Sequence, residues 1–231
     1  KSLLLGQTLK EPFESYTDVL PNNSAWAVQI PYKNKQKELV NYTNCTALGN
    51  GWVWRVPLWS RIGTGYVYSN EFTTDEEALE EFKKHLKSLG NNPDEFKYRK
   101  LDMKTGSYKR IWVKNVVAIG LAAGFIEPLE STGLWFSHEF SYMFLRLLYR
   151  GLPPNQYDKD LFNKACKSQW DEGLEFVSLH YALSRRSDTE YWRDVAKRNY
   201  SVSHDMVRAS FTKSRWHSTW PGINCIAHGW G

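Results

Sequence analysis

The spacing of apolar residues divides the chain into a strand-rich first half and a helix-rich second half, and that division limits the architectures open to it. Up to about residue 112 alternating apolar segments dominate, and beyond it apolar residues recurring every three or four positions do. A period of two puts alternate side chains on one face of a strand, whereas 3.6 gathers them on one stripe of a helix. Over residues 25–32, Trp26, Val28, Ile30 and Tyr32 alternate as on a half-buried strand. The segments NYTNCTAL and GWVWRVP flank Asn50-Gly51, a hairpin dipeptide, and GYVYS from Gly65 continues an antiparallel meander rich in aromatics. The run TDEEALEEFKKHLKSLG is expected to be a helix, with Thr74 and Glu77 as a capping box and Gly90 just past its end. Its apolar stripe is expected to be Leu79, Phe82, Leu86 and Leu89, and its early acids and late lysines suit the helix dipole.

Two short strands are expected around 96–101 and 108–112, then a buried strand at NVVAIG that runs through LAAGFIEPLESTG into a helix. Phe140, Met143, Phe144, Leu147 and Leu148 space that helix, and Gly151 with Pro153-Pro154 ends it. A longer helix carries Phe162, Ala165, Cys166, Trp170, Leu174 and Val177 on one stripe, and a last helix from about Asp188 turns Trp192, Val195 and Ala196 inward. The expected fold class is therefore α/β in the α+β sense, an aromatic-rich antiparallel sheet followed by a helical region. Residues 1–231 read as one partial domain, mainly sheet over 1–112 and loop plus helices over 113–231.

Composition excludes several function classes. At 231 residues and 42% apolar the chain can bury a sizeable core, and no run of about 18 apolar residues suggests a membrane span. The charge of 30 − 25 = +5 is scattered, as on a solvated surface, with no basic block for nucleic acid. Cys45, Cys166 and Cys225 are odd in number and far apart, which favours a reducing, cytoplasmic setting. The N-x-S/T sequons at Asn22, Asn41, Asn44 and Asn199 then read as chance matches. The opening KSLLLGQTLK is too short and polar for a secretory signal, so the chain reads as entered midway; CIAHGWG likewise reads as a cut end.

Standard catalytic constellations are few. The six histidines lack metal-ligand spacing, and HExxH, CxxC, GxSxG and P-loop patterns do not occur. His180 beside a helix stripe reads as a packed or hydrogen-bonded histidine, and the GTG at 63–65 as a turn. One stretch does point to chemistry. VVAIGLAAGFIEPLESTG sets a strand, small residues, a proline and a helix start in series. Small residues let backbone approach a ligand, and a helix N-terminus offers unsatisfied N–H donors. From the residues alone, Glu130 stays open between a role at such a site and simple capping of the helix dipole.

Three blocks settle the choice by resemblance. GWVWRVPL is similar to the Trp-x-Trp-x-Ile-Pro motif of the flavin-dependent tryptophan halogenases, with Val56 for Ile. FIEPLESTGL resembles that family's flavin- and halide-facing loop, and HYALSRRSDTEYWRDV follows in the family's order. The resemblance spans about residues 13–229. It implies the C-terminal portion of an FAD-monooxygenase-like three-layer fold. It implies an enzyme in which reduced FAD, delivered by a separate flavin reductase, and oxygen convert halide to hypohalous acid. That oxidant reaches a lysine and halogenates an electron-rich aromatic such as an indole, tryptophan or a phenol. The lysine and the GxGxxG fingerprint are expected upstream of Lys1, so this chain alone is expected to be inactive.

Carried over residue by residue, the resemblance makes Glu130 the active-site glutamate and gives the halide to Thr132 and Gly133. Gly120, Ala122, Ala123 and Pro128 would contact FAD. Trp52 and Trp54 match the pair that keeps the flavin from acting as an ordinary monooxygenase, although two tryptophans at i and i+2 also make a plain core wall. Trp220 is aligned with a substrate-stacking aromatic, but WPGINCIAHG is shorter than the family stretch, which puts tryptophan itself in doubt as substrate. No metal, nucleic acid or membrane partner is implied, and a homodimer stays open. A flavin monooxygenase without halogenation is the alternative. A stacking sheet for sugars or single-stranded nucleic acid, suggested by 11 Trp and 13 Tyr, is the third reading.

Overall fold

The computed structural model describes residues 2–198 and Tyr200. In chain order its elements are β1 (Phe13–Ser15), β2 (Ser24–Ile30), α1 (Lys35–Glu38), β3 (Asn44–Leu48), β4 (Gly51–Pro57), β5 (Ile62–Tyr68) and α2 (Asp75–Ser88). There follow β6 (Arg99–Asp102), β7 (Gly106–Tyr108), β8 (Trp112–Val113), β9 (Val116–Val117), β10 (Gly124–Phe125), α3 (Thr132–Leu148), α4 (Gln156–Ala182) and α5 (Glu190–Val195). Helices mix with antiparallel sheets, the expected class. Contacts divide the described residues into two compact units, one of Pro21–Lys104 with Arg185–Lys197, the other of residues 2–20 and Thr105–Ser184 with Arg198 and Tyr200.

The first unit is a five-stranded antiparallel sheet in the order β3-β4-β5-β2-β6. A simple meander was expected; instead β2 crosses to pair with β5, giving a Greek-key order. One face carries Val28, Ile30, Val53, Ile62, Tyr66 and Tyr68, and α2 covers it with Ala78, Phe82 and Leu86. A fully buried Phe82 is worth about 2–3 kcal/mol of apolar transfer. The two buried tyrosines place their hydroxyls on α2 acids, Tyr66 on Glu81 Oε2 and Tyr68 on Asp75 Oδ1, both at 2.6 Å. Burial, with the neighbouring carboxylate, holds the Tyr66 phenol far above its usual range.

Thr74 and Glu77 close the capping box, the Glu77 N–H reaching Thr74 Oγ1 at 3.2 Å and the Thr74 N–H reaching Glu77 Oε2 at 3.0 Å. At the other end the N–H of Asn91 bonds Leu86 O and that of Gly90 bonds Lys87 O, a Schellman pair with Gly90 at φ +76°. Leu89, expected on the apolar stripe, is instead exposed, because α2 ends at Ser88 and Leu89 is its C-cap residue, and Ala78 takes an inward position in the first turn. The hairpin loop is Gly49-Asn50, with Gly51 already in β4, one residue earlier than the dipeptide suggested. α5 docks in this unit through Trp192 Nε1 to Leu48 O and Thr189 Oγ1 to Gly49 O, each 2.6 Å.

In the second unit β1-β7-β10 form a small antiparallel sheet and β8-β9 a two-stranded ribbon. NVVAIG was expected to be a buried strand. Only Val116–Val117 pair, with Trp112–Val113, because a turn with Lys114 at φ 55° precedes them and Gly120 at φ 63° ends the extension. α3 and α4 pack through Phe136, Phe140 and Trp170, the Phe136 and Trp170 rings lying 4.2 Å apart. Leu148, expected on the inward stripe of α3, is exposed in its last turn. The buried Asn163 of α4 takes the N–H groups of Ile111 and Trp112 on Oδ1 and gives Nδ2–H to Trp112 O, all at 2.9 Å, tying β8 to the helix. Among the described residues no helix is long and apolar enough to cross a membrane.

Candidate active site

The stretch from Gly120 to Gly133 makes two short 3₁₀ turns and then enters α3. In the first, Gly120–Ala122, Gly120 adopts φ 63°, and a Cβ there would meet Ser137 Oγ at 2.9 Å. Leu121 and Ala122 face solvent. Ala123 is fully buried, its N–H on Gly120 O and its carbonyl taking the Tyr108 N–H, each at 2.9 Å. Gly120 and Ala122, on either side of the exposed Leu121, are small enough for a flat cofactor edge to approach backbone, so they fit FAD better than Ala123, whose side chain belongs to the core.

The second turn, Pro128–Glu130, opens on Pro128, whose missing N–H costs nothing at that position. It hands over to α3 through Ser131, a non-glycine residue in the left-handed region at φ 54°, ψ 26°. That conformation costs about 1–2 kcal/mol and persists where surrounding structure imposes it. Ser131 makes no side-chain cap to α3. Thr132, the first helical residue, does not cap either. It is 8% exposed and its Oγ1 has no hydrogen-bond partner among the described residues. The N–H groups of Thr132 and Gly133 find no acceptor among the described residues. A Cβ on Gly133 would meet nothing within 4 Å, so the glycine relieves no packing in this chain and leaves open space at the helix start. A buried hydroxyl donor beside unsatisfied N–H groups at the positive end of a 17-residue helix has the chemistry of an anion site.

Two carboxylates of the loop are tied to consecutive residues at the end of α4. Glu130 Oε1 lies 2.9 Å from His180 Nε2. Glu127 is fully buried and accepts a hydrogen bond from the Tyr181 hydroxyl. The packed, hydrogen-bonded histidine read from the sequence is therefore bonded to the candidate glutamate itself. Glu127 and Tyr181 escaped the sequence reading; the available signal was a second acid three residues before Glu130 and an adjacent His-Tyr pair.

In the sheet unit Trp52 and Trp54 share the face of β4 away from α2, ring centroids 6.3 Å apart and edge-on at 61°. Trp54 lies over Gly65, where a Cβ would meet its ring at 2.1 Å. Trp52 is buried and its Nε1–H has no partner among the described residues. Trp220, like Asn199 and Cys225, lies outside the described residues. Among those described, no cluster of three His, Cys, Asp or Glu side chains could hold a metal.

Known structures define the class. Tar14, a tryptophan C-6 flavin-dependent halogenase (chlorinase) from taromycin biosynthesis, matches with a TM-score of 0.86 at 34% identity, over all of this chain and 47% of its own. VirX1 matches with a TM-score of 0.92 at 40% identity, over 100% of this chain and 46% of its own. The model of the tryptophan halogenase family matches residues 1–223, and the chain belongs to that family. Tryptophan 6-halogenase SttH of Streptomyces toxytricini is 39% identical over 204 residues, 86% of this chain and 37% of SttH. The 7-chloro-L-tryptophan 6-halogenase KtzR of Kutzneria sp. (strain 744) is 38% identical over 86% of this chain and 38% of its own length. The chain thus spans less than two fifths of these curated relatives.

Proposed function

We propose that this chain is the part of a flavin-dependent halogenase that holds the halide and the active-site carboxylate, and that the complete protein halogenates an electron-rich aromatic, an indole, tryptophan or a phenol. The observation that carries this reading is the uncapped start of α3, where Thr132 buries a hydroxyl without a partner among the described residues, two positions from Glu130. When bound, reduced FAD supplies with oxygen the oxidising power that activates the halide. The residues of this chain do the rest of the assigned work. Thr132 Oγ1–H and the N–H groups of Thr132 and Gly133 hold the halide by hydrogen bonds and a helix dipole, with no arginine. Such a neutral site binds loosely enough for the halide to leave and react.

Gly120, Ala122, Ala123 and Pro128 are assigned to FAD, Ala123 through the backbone it fixes. Glu130 stabilises positive charge that develops on the substrate ring in the transition state and accepts the departing ring proton. Trp52 and Trp54 as guards against monooxygenase chemistry, and Trp220 as a substrate-stacking residue, rest on the motif match alone. A separate flavin reductase as the source of reduced FAD and a cytoplasmic location complete the reading.

Crystals of the complete protein soaked in bromide test it by anomalous scattering. Bromide is expected at Thr132 and Gly133; density only elsewhere at saturating bromide removes the halide site. Glu130→Gln should lower kcat far more than it weakens substrate binding. An unchanged kcat with weaker binding would make Glu130 structural.

A further inference from the structure

We infer that His180 is the positioning residue for Glu130, its ring oriented by two main-chain carbonyls at Nδ1 so that its Nε2 aims and holds the carboxylate. The inference deepens the proposed role of Glu130 and rests on it. His180 Nδ1 lies 3.2 Å from both Phe176 O and Val177 O. Carbonyl oxygens only accept, so both contacts require a proton on Nδ1. That leaves Nε2 to face Glu130 Oε1, at 2.9 Å, with one proton between them. With the proton on Nε2 the pair is imidazolium and carboxylate; with it on Oε1 it is imidazole and carboxylic acid.

The base role proposed for Glu130 requires the first arrangement, and the place of His180 in the last turn of α4, at the negative end of the helix dipole, is compatible with it. Glu130 has no second partner among the described residues, so Oε2 remains to meet a substrate. A ring C–H bond that breaks next to Glu130 returns its electron pair to the ring and gives its proton to Oε2, while Nε2–H stays on Oε1 and keeps the carboxylate from turning away. Tyr181 secures the base of the same loop through Glu127. The competing view makes His180 a packing residue, its ring edge-on to Phe176 at 5.5 Å.

The complete protein, supplied with reduced FAD and bromide, separates the two with indole as the substrate probe. His180→Phe keeps the ring stacked on Phe176 and removes both nitrogens. It is expected to lower kcat by about tenfold or more while KM for indole stays within about twofold. His180→Gln places an amide N–H where Nε2 was and should recover much of that loss. Side-chain ¹⁵N spectra of histidine-labelled protein should give His180 a protonated Nδ1, and Glu130→Gln should move the Nε2 resonance.

Wild-type kcat in His180→Phe, beside a crippled Glu130→Gln, overturns the inference and leaves the proposed function standing. Undiminished kcat in Glu130→Gln removes the proposed role of Glu130 itself. Should His180→Phe fail to fold, His180→Gln and the spectra decide: an unprotonated Nδ1, or an Nε2 signal indifferent to Glu130→Gln, overturns the inference.

Discussion

Thr132→Val exchanges a hydroxyl for a methyl of nearly the same shape, and two consequences follow that a structural threonine could not produce together. A buried hydroxyl without a hydrogen bond destabilises a fold by about 1–3 kcal/mol, and among the described residues Thr132 Oγ1, at 8% residue exposure, is such a group. Valine removes that penalty and adds apolar contact, so the gain should be about 1–2 kcal/mol. For a protein of this size that is a rise in Tm of about 2–8 °C. The same substitution deletes a donor to an anion, worth about 1.5–3 kcal/mol, so half-saturation by bromide should rise about ten- to a hundredfold. Thermal unfolding in halide-free buffer reads the first effect, and a bromide titration of product formation in the complete protein reads the second. A fall in Tm with an unchanged bromide requirement would refute the reasoning, because Oγ1 would then be satisfied in solution and idle toward halide.

Other perturbations probe the scaffold of the site. Asn163→Ala orphans three buried main-chain groups at Ile111 and Trp112 and should cost about 3 kcal/mol or more, with Asn163→Asp milder, as read by chemical denaturation. Ser131→Gly relieves the left-handed conformation at φ 54° and should stabilise by about 0.5–1 kcal/mol; a loss of stability would mean the backbone is unstrained there. The Asn155 N–H, together with the Arg150 guanidinium, holds the Asp158 carboxyl below its usual range. Its stabilisation is therefore complete above about pH 4 and fades as pH falls through the lowered folded-state value, and Asp158→Asn should flatten that acid limb of Tm against pH.

What the sequence revealed divides by the range of the interaction. The capping box of Thr74 and Glu77 and the Gly90 end of α2 depend on neighbours within a turn, and both stand where spacing put them. The shift of the hairpin loop to Gly49-Asn50 is a choice of register, which depends on which β5 residue each β4 residue meets. The return of β2 to β5 is likewise a long-range pairing that alternation cannot specify. At NVVAIG the apolar run was real, but the turns at Lys114 and Gly120 cut the strand to two residues. The candidate site behaves the same way. Its loop was legible because residues 120–133 are contiguous, whereas the His180 contact to Glu130 spans 180 − 130 = 50 positions and leaves no local trace.

That separation has a consequence for biosynthesis. The Glu127 carboxylate waits 181 − 127 = 54 residues for its tyrosine. At about 5–20 residues per second on a ribosome, the wait lasts roughly 3–10 s. Until the end of α4 emerges, the loop lacks both its Glu130–His180 and its Glu127–Tyr181 contact. A nascent chain stopped short of His180 would carry every residue of the loop without the two contacts that tie it to α4.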